Sequence, residues 1–251
     1  MTFMWALYAR EVKRFRKLML DTVFSPIVSM VLYLTVFGVV VSAKSIGGIS
    51  FLAFIYTGLL AMIMVNSGFS NPGFALIIAK NLGSILDLQI TPLRPWQIGI
   101  AYSLAALTRG LFTLSLALAL TAWFIPGMTI AHPLSLLAIV LITGLQYGML
   151  GVTFGIWARG FEALTFVTTF VMQPMIFLAG VFYPVGQLPA PWNLISQFNP
   201  IHHTVNLFRY SFVGYADTAP LISWAAVLGC STLFFGLMQW MTLRKLAESL
   251  Q

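Results

Sequence analysis

The chain has 251 residues, 59% of them hydrophobic and 8% charged, with 13 Lys and Arg against 6 Asp and Glu. So apolar a composition leaves too little polar surface to cover a core in water, which excludes a soluble domain and points to an integral membrane protein. The net charge of +7 does not indicate nucleic acid: the cations are few and stand beside apolar runs, where lipid headgroups are the anionic neighbours.

Residues 2–20 place Met4, Trp5, Leu7, Tyr8, Val12, Phe15, Leu18 and Met19 on one side of a helix, with Arg10, Lys13, Arg14, Arg16 and Lys17 pointing away. This pattern predicts an amphipathic helix lying in the inner headgroup layer. The segment is too long and too amphipathic for a signal peptide and is expected to be retained. Glu11 is the only acid inside the apolar arc. It either sits beside Arg14 one turn on, or meets a partner protein or another helix end.

Six long apolar runs follow: Thr22–Val41, Phe51–Phe69, Ile98–Phe124, Pro133–Trp157, Ala163–Phe182 and Leu221–Leu243. A bilayer core needs about 20 apolar residues as helix, and continuous rather than alternating runs exclude barrel strands. The expected fold is therefore all-α, a single membrane domain over 1–251. It comprises an interfacial helix (1–21), a six-span bundle (22–243) and a cytosolic tail (244–251).

With six spans both termini share a side, and that side collects Arg10, Lys13, Arg14, Arg16, Lys17, Lys80, Arg94, Arg159, Arg244 and Lys245, with Arg109 as an eleventh if it snorkels there. The other side holds only Lys44 and Arg209. The positive-inside rule then puts both termini, the 70–97 loop and the 158–162 loop in the cytosol.

The span between 133 and 157 carries Gly144, Gly148, Gly151 and Gly155, whose spacing of 4, 3 and 4 forms one strip for close helix packing. The next places Phe166, Phe170, Gln173 and Phe177 along one side, with Pro174 as a kink. Arg109 either snorkels to the inner headgroups or pairs with Glu162 or a partner chain. Between Tyr183 and Tyr215, four prolines punctuate short apolar pieces, predicted to dip back as a re-entrant hairpin capping the outer mouth.

Several chemistries are missing. None of the six acids, Glu11, Asp21, Asp87, Glu162, Asp217 and Glu248, falls mid-span. This disfavours an ion-coupled secondary transporter unless Asn66 or Gln173 suffices for coupling. No Gly-Lys dipeptide exists to build a P-loop, so any ATP chemistry must belong to another chain. The lone Cys230 lies in an apolar run, and His202 and His203 diverge by about 100° on a helix, a poor ligand pair. Neither a catalytic nor a metal site is expected.

Two stretches carry a resemblance. One is "ILDLQITP" over 85–92; the other is "GVFYPVGQLPAPW" from Gly180, followed by "FNPIHHTVNLFR" ending at Arg209. With the six spans and the basic N-terminal helix, they make the chain similar to an ABC-2 type transporter permease of the bacterial daunorubicin-resistance, nodulation-factor and polysaccharide-export group. One of two family acids in the first motif is replaced here by Leu86.

The resemblance implies a type V exporter-like permease in the bacterial inner membrane, a homodimer that carries an amphiphilic substrate and is driven by two copies of a separate cytosolic ATPase. ATP and Mg would be bound by that partner, with no cofactor in this chain. It implies a cytosolic coupling helix in the 80–95 stretch. If 79–90 is helical, Leu82, Ile85, Leu86 and Gln89 form a docking ridge, with Asp87 and the flanking Lys80 and Arg94 fixing register and Glu11 contributing from the N-terminal helix. It further implies Asn66, Phe166, Phe170, Gln173 and Phe177 as pathway lining, which plain intra-bundle packing would explain equally. Phe182, Tyr183 and Pro184 would belong to an outer gate. A non-transporting structural membrane protein is the remaining alternative.

Overall fold

The structure is a computed structural model that describes residues 2–17, 20–41, 45–83, 93–125 and 128–248. It opens with α1 (Thr2–Lys17), in which Leu7 and Glu11 are buried and Phe3 is exposed; Trp5, expected on the apolar side, is also exposed, meeting Tyr8 edge-on at the rim of the packed face. A π-helical turn (Leu20–Phe24) leads into α2 (Ser25–Val41), and then a hairpin pairs β1 (Ser45–Ile46) with β2 (Ile49–Ser50), Ser45 opposite Ser50. Gly47 and Gly48 both have positive φ, the conformation a two-residue hairpin turn needs.

The Ser50 hydroxyl accepts from the Ala53 amide and starts α3 (Phe51–Asn81), the buried axis of the bundle. Around it stand α4 (Pro95–Thr121) and α5 (Pro133–Trp157). The fifth apolar run is α6 (Phe161–Phe166) and α7 (Gln173–Leu178), joined through a π-helical segment (Val167–Met172). Then come α8 (Trp192–Gln197), α9 (Pro200–Val213) and α10 (Pro220–Glu248). Among the described residues five helices are long and apolar enough to cross a membrane: Phe51–Asn81, Pro95–Phe124, Pro133–Trp157, Phe161–Leu178 and Pro220–Arg244. A shorter apolar helix, Thr22–Phe37, precedes them.

The glycine face of α5 is where three helices meet. A Cβ on Gly148 would come within 2.9 Å of Ser103 Cα on α4, and one on Gly151 within 2.2 Å of the Phe69 carbonyl oxygen on α3. Gly144 faces Leu107 and Gly155 faces Gly73 at similarly short range. Backbones this close gain dispersion contacts that no larger residue would permit.

Three details differ from the sequence expectation. First, α3 does not stop at Phe69 but continues through Pro72 to Asn81. Ala75, Leu76, Ile77 and Ala79 are buried in that extension. Their burial, at about 0.8 kcal/mol per methylene, offsets the roughly 3 kcal/mol an interior proline costs.

Second, no continuous helix spans 79–90. The chain turns at Leu82 and at Gly83, whose φ is 70°. Third, the run that holds Pro174 is not α-helical throughout: wider π turns over Val167–Met172 come directly before it.

Candidate functional site

A cleft runs along α3. The part at the α1 end of the bundle, called inner for that position alone, is about 370 Å³, lies between α1, the start of α2, α3 and α4, and is lined by Arg14, Thr22, Ser25, Ser70, Asn71 and Arg109 among others. Its outer part, about 280 Å³, lies between α2, α3 and the π segment, where Ser29, Tyr33, Asn66, Thr168 and Gln173 face it. Ser25, Pro26 and Ser70 line both, so the two parts are continuous. Helical periodicity explains the assembly: Leu59, Ile63, Asn66 and Ser70 recur along one face of α3, as Ser25, Ser29 and Tyr33 do on α2.

At the outer end the Phe182 ring packs on Tyr33 (5.3 Å between centroids), Phe37 (5.2 Å) and Phe177 (5.9 Å). The Tyr183 hydroxyl donates to the Phe177 carbonyl at 2.6 Å, and Pro184 caps the short 3-10 turn that follows. A larger groove, about 500 Å³, opens between α2 and the outer end of α4. Its lining of Ile27, Val31, Leu120, Phe124 and similar residues carries only two threonines, so it offers apolar surface and little to select a head group.

The structure brings Asn66 and Gln173 together in the cleft but leaves the three phenylalanines outside it. Phe166 and Phe170 are 58% and 66% exposed and stack on each other at 4.9 Å, and Phe177 is 47% exposed. An i, i+4, i+7 stripe presumes 3.6 residues per turn. The π segment changes the helical phase between Phe166 and Gln173, so the stripe does not hold as one face.

Of the expected coupling residues, Ile85, Leu86, Asp87 and Gln89 lie outside the described residues. Leu82 is 76% exposed just beyond the end of α3. Lys80 is turned inward: its ammonium donates to the carbonyls of Gly155, Ile156 and Ala158 at 2.8, 2.7 and 2.7 Å. A cation at a helix C-terminus satisfies carbonyls that have no intrahelical partner, so Lys80 ties the inner end of α3 to that of α5.

Glu11 is buried against Arg14 (2.7 Å) and Arg10 (3.5 Å). Burial raises its carboxyl above the ordinary range while Arg14, then Arg10, draw it back. The same helix is pinned to α4 by Tyr8 to Thr108 (2.9 Å) and by Arg10 donating to the Tyr102 hydroxyl (3.2 Å).

The partners of two arginines were not read from the sequence. Arg109 does not reach Glu162; its guanidinium donates to Asn71 Oδ1 and to the Thr22 carbonyl, both at 3.3 Å. Arg209 is fully buried on α9, paired to Asp217 at 3.0 Å and donating to the Gly180 carbonyl at 2.9 Å, with its Cζ 3.5 Å from the Phe54 ring centroid.

Around Arg209, Asn206 bridges the Thr218 carbonyl and the Ser223 hydroxyl, and its Oδ1 accepts from the Asp217 amide. His202 meets Ala179 and Thr218, and His203 meets Ser223 and Gln197, so both rings are held in a structural network. The eight-residue spacing of Arg209 and Asp217 was the available signal, obscured because a lone outer cation reads as solvated. Among the described residues no cluster of His, Cys, Asp and Glu could hold a metal.

The family model for ABC-2 type transporters matches residues 2–213. The inner membrane transport permease YadH of Escherichia coli K12 is 30% identical over 242 residues, 96% of this chain and 94% of its own length. Nodulation protein J of Rhizobium meliloti is 25% identical, covering 83% of this chain and 80% of its own, and that of Rhizobium leguminosarum bv. trifolii is 26% identical over 71% and 68%. Matched along nearly its whole length and built as a multi-pass bundle of apolar helices, the chain belongs to the ABC-2 type transporter family.

Proposed function

We propose that this protein is the permease subunit of an ATP-driven exporter in the bacterial inner membrane. In this reading the shorter helix at 22–37 completes six spans in one permease domain, with both termini in the cytosol. The 179–219 segment, with α8 and α9, dips back from the outer face as a hairpin cap. Two copies form the working unit with two copies of a cytosolic ATPase, which binds ATP and Mg. The observation that carries the reading is the continuous cleft along α3, which presents Asn66 and Gln173 between apolar walls, a lining suited to an amphiphile.

Movement enters where α3 and α5 are tied together at Lys80, next to the exposed Leu82 and the 84–92 segment that would contact the ATPase. Glu11 would hold α1 against the same end of the bundle. A change in the angle of these helix ends opens or narrows the cleft between α2, α3 and α7, and the Phe182 cluster with Tyr183 and Pro184 closes its outer end. The exposed Phe166, Phe170 and Phe177 face would meet the second copy, where they line the shared path.

The test is purification from native membranes: a soluble chain bearing a P-loop should co-purify, and Asp87→Lys should weaken that association and the ATPase stimulation. An unchanged complex would remove the coupling role from the 80–95 stretch. Uptake into proteoliposomes driven by an ion gradient with no ATPase present would establish the secondary-transporter reading instead.

A further inference from the structure

We propose that the inner mouth of the cleft recognises the phosphate of an anionic lipid-like head, so that the amphiphiles admitted are phosphate-bearing ones drawn from the inner leaflet. The inference rests on the reading of the cleft as the translocation path, and deepens it by naming a substrate class.

The depth of the site comes from geometry. Arg109 is hydrogen-bonded to Asn71, and Asn71 lies 20 residues from Phe51, the first residue of α3. At 1.5 Å per residue that is about 30 Å, the thickness of a bilayer's hydrocarbon core. Taking the start of α3 as one boundary puts Asn71 at the other, and the Arg109 guanidinium bonded to it within reach of the plane where headgroup phosphates lie. The amphipathic α1 lies at the same level, Phe15 against Phe112 and Tyr8 against Thr108.

The charge balance of the mouth is unusual. Arg14 and Arg109 both line it, and among the described residues its lining includes no carboxylate. Glu11 engages Arg14 at 2.7 Å, whereas among the described residues Arg109 has no acidic partner. Its two hydrogen bonds are long, at 3.3 Å each, and its Nε is buried with no partner.

Two guanidinium groups in one partly buried cavity repel, and a bound anion relieves that repulsion. A phosphate suits the arrangement because its several oxygens accept in-plane pairs from an arginine while reaching a second cation and the nearby Ser25 and Ser70 hydroxyls. Above the mouth the cleft turns to Met30, Leu59, Met62 and Ile63, apolar surface for the chain attached to such a head.

The experiment measures retention of phosphatidylglycerol, compared with diacylglycerol, by native mass spectrometry of the full purified chain. Wild type should prefer phosphatidylglycerol by tenfold or more. Arg109→Gln should reduce that preference about tenfold with unchanged thermal unfolding, and Arg109→Lys should keep most of it. Ser25→Trp, which fills the mouth without removing a charge, should also reduce it, and decides the matter if Arg109→Gln fails to fold.

Equal preference in wild type and in the folded variants overturns the proposal. Displacement of the lipid by inorganic phosphate at equal concentration overturns the lipid source, leaving a free-anion site. Loss of preference in wild type with the ATPase still co-purifying removes this inference and spares the permease reading; lipid preference without any ATPase partner does the reverse.

Discussion

Arg109, half-buried, and Arg209, fully buried, stand at opposite ends of the bundle, and their surroundings differ in kind. Arg209 meets a carboxylate at 3.0 Å, lies over an aromatic face and is surrounded by Asn206, His202 and Tyr215, whose own polar groups are engaged. Arg109 has two amide-type oxygens at 3.3 Å and a cavity beside it. Both leave Nε without an acceptor, so that atom does not separate them. The carboxylate and the cavity do. A buried cation with its counter-ion built in holds a structure together, whereas one facing open space without it is arranged for something that comes and goes.

The sharpest way to break this comparison is at the outer end. Arg209→Met leaves Asp217 uncompensated and should cost about 3–5 kcal/mol, read as a lowered thermal unfolding temperature in detergent. Pairing it with Asp217→Asn should recover much of that loss. If Arg209→Met is tolerated as well as Arg109→Gln, the distinction between the two arginines fails.

Next in size is Gly151→Leu, which forces atoms toward the Phe69 carbonyl and should cost about 1–3 kcal/mol by the same measurement. Lys80→Met removes three carbonyl contacts at the end of α5 and should cost about 1–2 kcal/mol. On the proposed permease reading it should also uncouple the partner's ATP hydrolysis from transport, which a purely stabilising contact would not do.

The smallest effect is expected at Glu11. Its carboxyl pKa is raised by burial, so the folded state holds the proton more tightly than the unfolded chain does. Stability from this group is then greatest below the ordinary value of 4.5 and declines as pH rises through the raised folded value. Glu11→Gln should flatten that slope while leaving α1 docked, as followed by hydrogen exchange of residues 2–17.

Much of the molecule was legible in one dimension because lipid imposes a simple rule. Long apolar runs must be helices, and the bounds of α5 coincide with the expected run from Pro133 to Trp157. The α1 pattern and the glycine spacing were equally readable, since both repeat with the helical period.

The candidate site was less so. Asn66 and Gln173 were named for being polar in apolar runs and do line one cleft, but the phenylalanines named with Gln173 do not. Ser70, Asn71, Pro72 and Gly73 fall in the expected 70–97 loop, yet lie inside a helix held by packing on either side. Lys80 read as a surface cation until its carbonyl partners, some 75 residues away, were in place.

By itself, then, the sequence determined the family, the helical membrane fold, the amphipathic first helix and the small-residue face of α5, because each depends on composition or on a local period. Tertiary structure alone decided which cations are neutralised, where α3 ends, how the π segment turns Gln173 away from its neighbours, and that Arg14 and Arg109 share a cavity with no carboxylate among the described residues of its lining. These depend on distances between residues far apart in the chain, and the energy of a buried charge is set by its neighbours in space rather than by its place in the sequence.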